Sequence, residues 1–223
     1  MPKLTSITDI GRKMAKNRAR VGIDCMDNSS IYNRRSIRKF QDKPVARETI
    51  EEIIRAGSAA PSAKNRQPWK CVVLGNGRKA GFLDTMERGI DREEHIHAML
   101  PKSGSGLADA KNTLRIMREV PILIAVINTN GNNPFMPLDA DERITEICDT
   151  LSVGAFIENM LLRAQELGLG TLWIANTCFA YEELTAFLAM QGQLIGAVAL
   201  GYADECPDMR PRKRLEEIVE FML

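Results

Sequence analysis

A single mixed domain in which helices and strands alternate along the chain is the fold class that the sequence predicts, and three observations point to it. Its 223 residues are 44% hydrophobic, and one core of this size can bury roughly 70 to 75% of the unfolded surface without a second domain. Apolar runs of strand length recur between segments of helical spacing, as expected for a sheet with helices packed on it. No glycine-rich, phosphate-cradling turn follows the first strand, which argues against a Rossmann or P-loop unit.

The first 30 residues are basic and weakly periodic. Ile7, Ile10 and Met14 suit one face of a short helix before Gly22, so residues 1–30 read as an extension packed on a main domain of residues 31–223. Ile50, Ile53 and Ile54 have helical spacing in a segment that starts after Pro44 and ends at Gly57-Ser58. Trp69 to Leu74 reads as a strand stopped by Gly75-Asn76-Gly77. Between about 89 and 106 the composition shifts to charge, His, Pro and Gly, which predicts a long loop or small lid carrying substrate contacts.

A helix is expected over about Leu107 to Met117, and Pro121 to Ile127 is a β-branched run suited to a buried strand, broken by Asn130-Gly131-Asn132-Asn133-Pro134. From Asp141 to Leu167 the pattern is helical, but Leu151, Val153, Phe156, Ile157, Met160, Leu161 and Ala164 spread apolar surface around most of the circumference. Such a helix needs cover on several sides, and a second subunit can supply one of them. Gly168-Leu169-Gly170 stops it; Leu172 to Asn176 reads as a strand, Tyr181 to Met190 as a helix, and Ile195 to Tyr202 as the last core strand.

Thirty basic residues against 29 acidic give a net charge of +1, which offers no general attraction to nucleic acid or to an acidic membrane surface. Five scattered cysteines without a Cys-x-x-Cys pair indicate neither a disulfide framework nor a metal cluster, and fit a reducing cytoplasm. Neither a signal-peptide pattern nor an 18-residue uncharged apolar run occurs, so a soluble cytoplasmic protein is expected. Cys71 and Cys148 sit in apolar runs and read as core residues. His95 and His97, with Asp91, Glu93 and Glu94 nearby, lack a fixed third ligand and read as exposed loop residues, so no metal is assigned.

The chemistry concentrates in two basic clusters around one rigid polar segment. Arg34-Arg35-Ser36-Ile37-Arg38 places three guanidinium groups and a hydroxyl within five residues, and Arg210 to Arg214 repeats the theme near the far end. A guanidinium fork matches two phosphate oxygens. Either cluster alone reads as a solvated charged edge; the pair together favours a phosphorylated ligand. Between them, Pro61 to Trp69 is polar yet stiffened by proline at both ends, and Asn65 and Gln67 offer donors and acceptors to the edge of a heterocycle. The plain alternative is a loop leading into the strand at Trp69.

These motifs in this order, with the Gly-Leu-Gly-Thr at Gly168 to Thr171 and a Gly-Tyr followed by a basic Pro-Arg-Lys-Arg-Leu-Glu-Glu tail, resemble the FMN-dependent nitroreductase family from about Asn33 to Glu217. The resemblance implies an α+β fold with a mostly antiparallel central sheet flanked by helices, an intertwined homodimer, and FMN bound at the subunit interface. It assigns Arg34, Arg35, Ser36 and Arg38 to the FMN phosphate and ring edge, with Arg212 and Arg214 as their carboxy-terminal partners. Pro61, Ser62, Ala63, Asn65 and Gln67 belong to the segment that reaches the flavin of the other subunit. Asn112 and Arg115 match the pyrimidine and ribityl side, while Ile174, Ala175 and Asn176 match the strand end near the flavin N5. Some family members carry an acidic residue where this chain has Ala175.

The implied activity is reduction of nitroaromatics, quinones or similar electron-poor acceptors by NADH or NADPH in a ping-pong sequence, with the flavin and no protein acid or base carrying the chemistry. Two other readings compete. One is a specialised flavin chemistry on the same fold, either reductive dehalogenation or flavin degradation, decided by the segment from 89 to 106. The other is a flavin-binding carrier or sensor without turnover.

Overall fold

The computed structural model describes residues 29–223; the helix expected around Ile7, Ile10 and Met14, and with it most of the amino-terminal extension, lies outside them. A short helix α1 (Ser30–Asn33) leads to α2 (Arg47–Ser58), β1 (Trp69–Leu74), α3 (Asn76–His95), α4 (Leu107–Glu119), β2 (Ile122–Asn128), α5 (Ala140–Glu166), β3 (Gly170–Ile174), α6 (Tyr181–Leu188) and β4 (Gln193–Gly201). The strands form one sheet in the order β1-β2-β4-β3, with every neighbouring pair antiparallel.

The continuous apolar run of β2 follows from its place in the centre. Leu123, Ala125 and Ile127 face one cluster with Phe82, Met86, Ile90 and Met117. Ile124 and Val126 face a second with Ile53, Phe156, Ile157 and Met160. Successive residues of a strand point to opposite faces, so a strand covered on both faces loses the polar half of its alternation. Helices α3, α4 and α6 therefore lie on one side of the sheet, and α2 and α5 on the other.

Helix α5 starts at a capping box in which Asp139 Oδ1 accepts the Glu142 N–H and Glu142 accepts the Asp139 N–H. It ends at Gly168, whose φ of +77° lets the Gly168 and Leu169 N–H groups return to Gln165 and Ala164 carbonyls, the Schellman closure. One side is buried through Val153, Phe156, Ile157 and Met160. Of the seven residues that gave the sequence its apolar girth, Val153, Phe156, Ile157, Met160, Leu161 and Ala164 are buried within this one chain against the sheet and α2, which leaves Leu151, at 69% exposed, with Ile144 and Ile147 at 63% and 48%, as the uncovered apolar side.

The loop or lid expected between 89 and 106 is corrected by the structure. Helix α3 runs through to His95, and Pro101–Gly106 forms a 3₁₀ turn leading into α4. Gly75-Asn76-Gly77 ends β1 at Leu74 as expected, and Gly75 also caps the helix that begins immediately after it. Phe82, Met86 and Ile90 are its buried stripe; of the charges that suggested a loop, Asp91 and Glu94 lie on the helix's solvent side and Glu93 is turned inward. The remaining connection is pinned: the buried Glu93 carboxylate accepts the Met99 and Leu100 N–H groups at 2.9 and 2.6 Å and Arg92 Nη1 at 2.9 Å. Gly89 permits close approach of α3 to the turn after β3, where a Cβ would stand 2.5 Å from Ala180 Cα.

Smaller differences concern ends. The strand expected over Leu172 to Asn176 spans Gly170–Ile174, and Asn176–Ala180 is a 3₁₀ turn. Helix α6 stops at Leu188 because Ala189 turns left-handed, and β4 begins two residues early at Gln193.

Candidate active site

The segment Ser36 to Gln41 is threaded between the start of β3 and the chain leaving β4. Ile37 N–H donates to Thr171 O at 2.9 Å, Gln41 N–H to Tyr202 O at 2.9 Å, and Asp204 N–H returns to Lys39 O at 2.9 Å. The Glu205 carboxylate accepts the N–H groups of Arg38 and Lys39. These bonds join chain ends that are far apart in sequence and open a cleft of about 300 Å³ lined by Arg34, Arg35, Ser36 and Arg38 from one end and by Arg210 and Arg212 from the other.

The cleft is strongly cationic, with Asp208 its acidic lining residue. Burial, with Arg34 and Arg212 as positive neighbours, holds the Arg35 guanidinium below the ordinary arginine value. Arg35 Nη1 is fixed on the carbonyls of Tyr32 and Arg34 at 2.7 and 2.8 Å. Arg34 Nε lies 3.4 Å from Glu158 yet is buried without a hydrogen-bond partner. Gathered guanidinium groups offer the donor set and positive charge that suit an anion such as a phosphate. Arg214 is not part of this cleft: its side chain is 80% exposed and lies 3.7 Å from Glu217.

The Pro61 to Trp69 segment stands elsewhere, against α5. Lys64, Asn65 and Gln67 have φ values of 54°, 54° and 50°, a left-handed region that costs non-glycine residues of order 1 kcal/mol each. Gln67 Nε2 donates to Asn65 Oδ1 at 3.1 Å, and Gln67 N–H donates to Ser62 Oγ at 3.0 Å. Ala63 N–H donates to Ser152 Oγ at 3.2 Å. Pro61 and the side chains of Asn65 and Gln67 are exposed, with Ser62 and Ala63 half-buried. None of these residues lines the arginine cleft.

Ile174 closes β3, buried, while Ala175 bends into the helical region and is exposed. The Asn176 amide donates to Asp109 Oδ2 at 2.9 Å and to Thr113 Oγ1 at 3.0 Å, bridging the strand end to α4. On the same helix Arg115 donates to Asn112 Oδ1 at 3.2 Å and to Glu119 at 2.7 Å. Arg115 also lines a charged groove between α3 and α4 with Glu87, Asp91, Lys111 and Arg118. His95, placed in a loop by its composition, closes α3 with Nε2 3.0 Å from Glu94.

Sequence reasoning passed over four residues that organise these sites: Glu205, Asp109, Arg66 and Asp149. Only Asp149 left a signal, as a carboxylate on the apolar side of a helix; it is 1% exposed. The others act across long separations that spacing does not reveal.

Comparison with known proteins places this geometry. Residues 31–202 match the model of the Nitroreductase family. A nitrobenzene nitroreductase of Ectopseudomonas oleovorans is 44% identical over 220 residues, covering 86% of this chain and 95% of the relative. A putative NADH dehydrogenase/NAD(P)H nitroreductase of Archaeoglobus fulgidus is 30% identical over 184 residues, covering 80% and 86%. Among solved structures, a BluB-like flavoprotein from Clostridium difficile is similar with a TM-score of 0.71 and 28% identity, over 91% of this chain and all of that one. A putative nitroreductase from Desulfovibrio desulfuricans in complex with FMN has a TM-score of 0.62 at 25% identity, over 85% and 92%. With the antiparallel α+β fold and the match over most of its length, the chain belongs to the nitroreductase family.

Proposed function

We propose that this protein is an FMN-dependent oxidoreductase that takes electrons from NADH or NADPH and reduces a nitroaromatic, quinone or similar electron-poor acceptor, acting as a cytoplasmic homodimer. The observation that carries the reading is the arginine cleft of Arg34, Arg35, Arg38 and Arg212 with the Ser36 hydroxyl, in a chain of this family. Its donor set fits the terminal monophosphate of FMN. The 44% identity to a nitrobenzene nitroreductase favours a nitroaromatic acceptor.

FMN, when bound, supplies the two-electron chemistry, and the protein supplies binding, orientation and electrostatics. Arg34, Ser36, Arg38 and Arg212 would hold the phosphate. Asn112 and Arg115 serve the pyrimidine edge, where a fixed positive charge favours negative charge on the ring. Ile174, Ala175 and Asn176 border the reactive edge, and Ala175 brings no carboxylate there. Pro61, Ser62, Ala63, Asn65 and Gln67 would reach the site of the partner subunit, consistent with their absence from the lining of the arginine cleft.

The dimer draws support from uncovered apolar surface. Ile144, Ile147 and Leu151 on α5 join Trp173 on β3, which is 41% exposed, and the carboxy-terminal Leu215, Ile218 and Phe221 are 60%, 65% and 71% exposed. A monomer seldom presents so much apolar surface to water. Among the described residues no helix is long and apolar enough to cross a membrane.

The test is direct. Denaturing the purified protein should release FMN and not FAD, identified by chromatography. Anaerobic NADH or NADPH should then bleach the holoprotein, and nitrobenzene should restore its colour. Colourless protein that also fails to bind added FMN would overturn the reading, and a flavin that stays oxidised under both donors would leave a binding protein in place of an enzyme.

A further inference from the structure

We propose that Asp149 is a positioning residue which, through Arg66, fixes the left-handed course of the Ser62–Gln67 loop and so the presentation of Asn65 and Gln67 to the cofactor; this rests on the function proposed above. Asp149 lies 1% exposed on α5. Its Oδ1 accepts Arg66 Nε at 2.8 Å and stands 2.7 Å from Arg66 Nη2, a two-point grip that a point charge cannot match. Its Oδ2 accepts the Asn130 amide at 3.2 Å. Asn130 is itself ordered, since its N–H donates at 3.1 Å to Oδ1 of Asn128, a fully buried residue at the end of β2.

Three residues further along α5, Ser152 Oγ accepts the Ala63 N–H at 3.2 Å. Residues i and i+3 of a helix share a face, so one face of α5 grips the loop at Ala63 and again at Arg66. Lys64, Asn65 and Gln67, the left-handed residues, lie between and beside these two points. Non-glycine residues persist in that conformation where the surroundings over-determine it. A buried ion pair is a poor way to stabilise a core, because apolar residues of the same volume do as well or better. Its cost is explained when the pair sets an orientation. Neither Arg66 nor Asp149 lines the arginine cleft, so both act through the loop. The flanking residues Ile147 and Leu151 are exposed, which puts the grip beside the surface proposed to meet the partner subunit.

The experiment compares wild type, Asp149→Asn, Arg66→Ala and Arg66→Lys, each checked for dimer mass by light scattering. FMN affinity is read by fluorescence titration of apoprotein, and the flavin environment by the visible absorption band. Asp149→Asn and Arg66→Ala should remain dimeric, bind FMN on the order of tenfold more weakly and shift the band. Arg66→Lys should recover part of the affinity, as a residue needed only for packing would not require. Wild-type affinity with an unchanged band in both variants overturns the positioning role. Should Asp149→Asn fail to fold, Arg66→Ala decides alone, since its side chain is already 27% exposed. Wild-type protein that binds no FMN overturns the proposed function and this inference together, an outcome separate from the first.

Discussion

At the scale of single residues, the arginine cleft makes the sharpest predictions. Arg34→Ala and Arg38→Ala are each expected to weaken FMN binding by about 2 kcal/mol, the scale of a charge-assisted hydrogen bond in a partly buried site. Arg38→Lys should also lose affinity, because an ammonium cannot reproduce the fork. Fluorescence titration of apoprotein measures all three, and unchanged affinity would return the cluster to a solvated edge. Arg214→Ala, by contrast, should leave affinity near wild type, since its side chain points to Glu217 and away from the cleft. Burial pushes the Cys71 thiol up to about 12, so alkylation at pH 8 should spare it, as peptide mapping would reveal.

Among the elements, the join between α3 and the Pro101–Gly106 turn depends on Glu93. Burial alone would raise its carboxyl, but the N–H groups of Met99 and Leu100, with Arg92, hold it below the ordinary carboxylate value. Glu183, on the other side of Arg92, is likewise held low through that guanidinium. A carboxyl depressed in the folded state contributes stability that is fully present above its unfolded value, about 4.5 here, and is lost as pH falls through the folded value. Urea denaturation from pH 6 down to pH 3 should therefore show a steep loss of stability that Glu93→Gln flattens. At pH 7, Glu93→Ala is expected to destabilise the fold by about 3 kcal/mol, because it strands two N–H groups and a guanidinium. What was legible in the sequence follows the same physics. β2 and β4 announced themselves because a strand covered on both faces is a short apolar run, the edge strand β1 because its β-branched run is cut off at Gly75, and α5 because its apolar residues recur over many turns. Helix α3 stayed hidden because its cap is a Gly-Asn-Gly and its solvent face is charged, which together mimic a loop. The arginine cleft was visible as two basic clusters, whereas Arg66–Asp149 and Arg38–Glu205 join residues that only the folded sheet brings together.

For the whole molecule, light scattering should give twice the 24.9 kDa chain mass down to low concentration, as expected where an interface buries more than about 2,000 Å². A stable holo-monomer would refute the dimer and the shared site. Steady-state kinetics should be ping-pong: the described residues include no separate dinucleotide-binding unit, so on the proposed function donor and acceptor would take turns over one flavin face. Double-reciprocal plots at several acceptor concentrations should be parallel, and each substrate should compete with the other at high concentration. Intersecting lines with a demonstrable ternary complex would show that the site holds both at once.

The threading of Ser36 to Gln41 between Thr171 and Glu205 bears on how the enzyme acquires its cofactor in a living cell. A ribosome releases the chain from its amino end at about 5–20 residues per second, and the early arginines emerge long before their late counterparts. Arg212 lines the cleft with Arg34, so no nascent polypeptide holds both halves of the cleft until residue 212 has been translated. On the function proposed above, flavin capture would wait for that point, and a product truncated before it, lacking the far half of the cleft, would be denied the ligand that otherwise shields it from proteolysis.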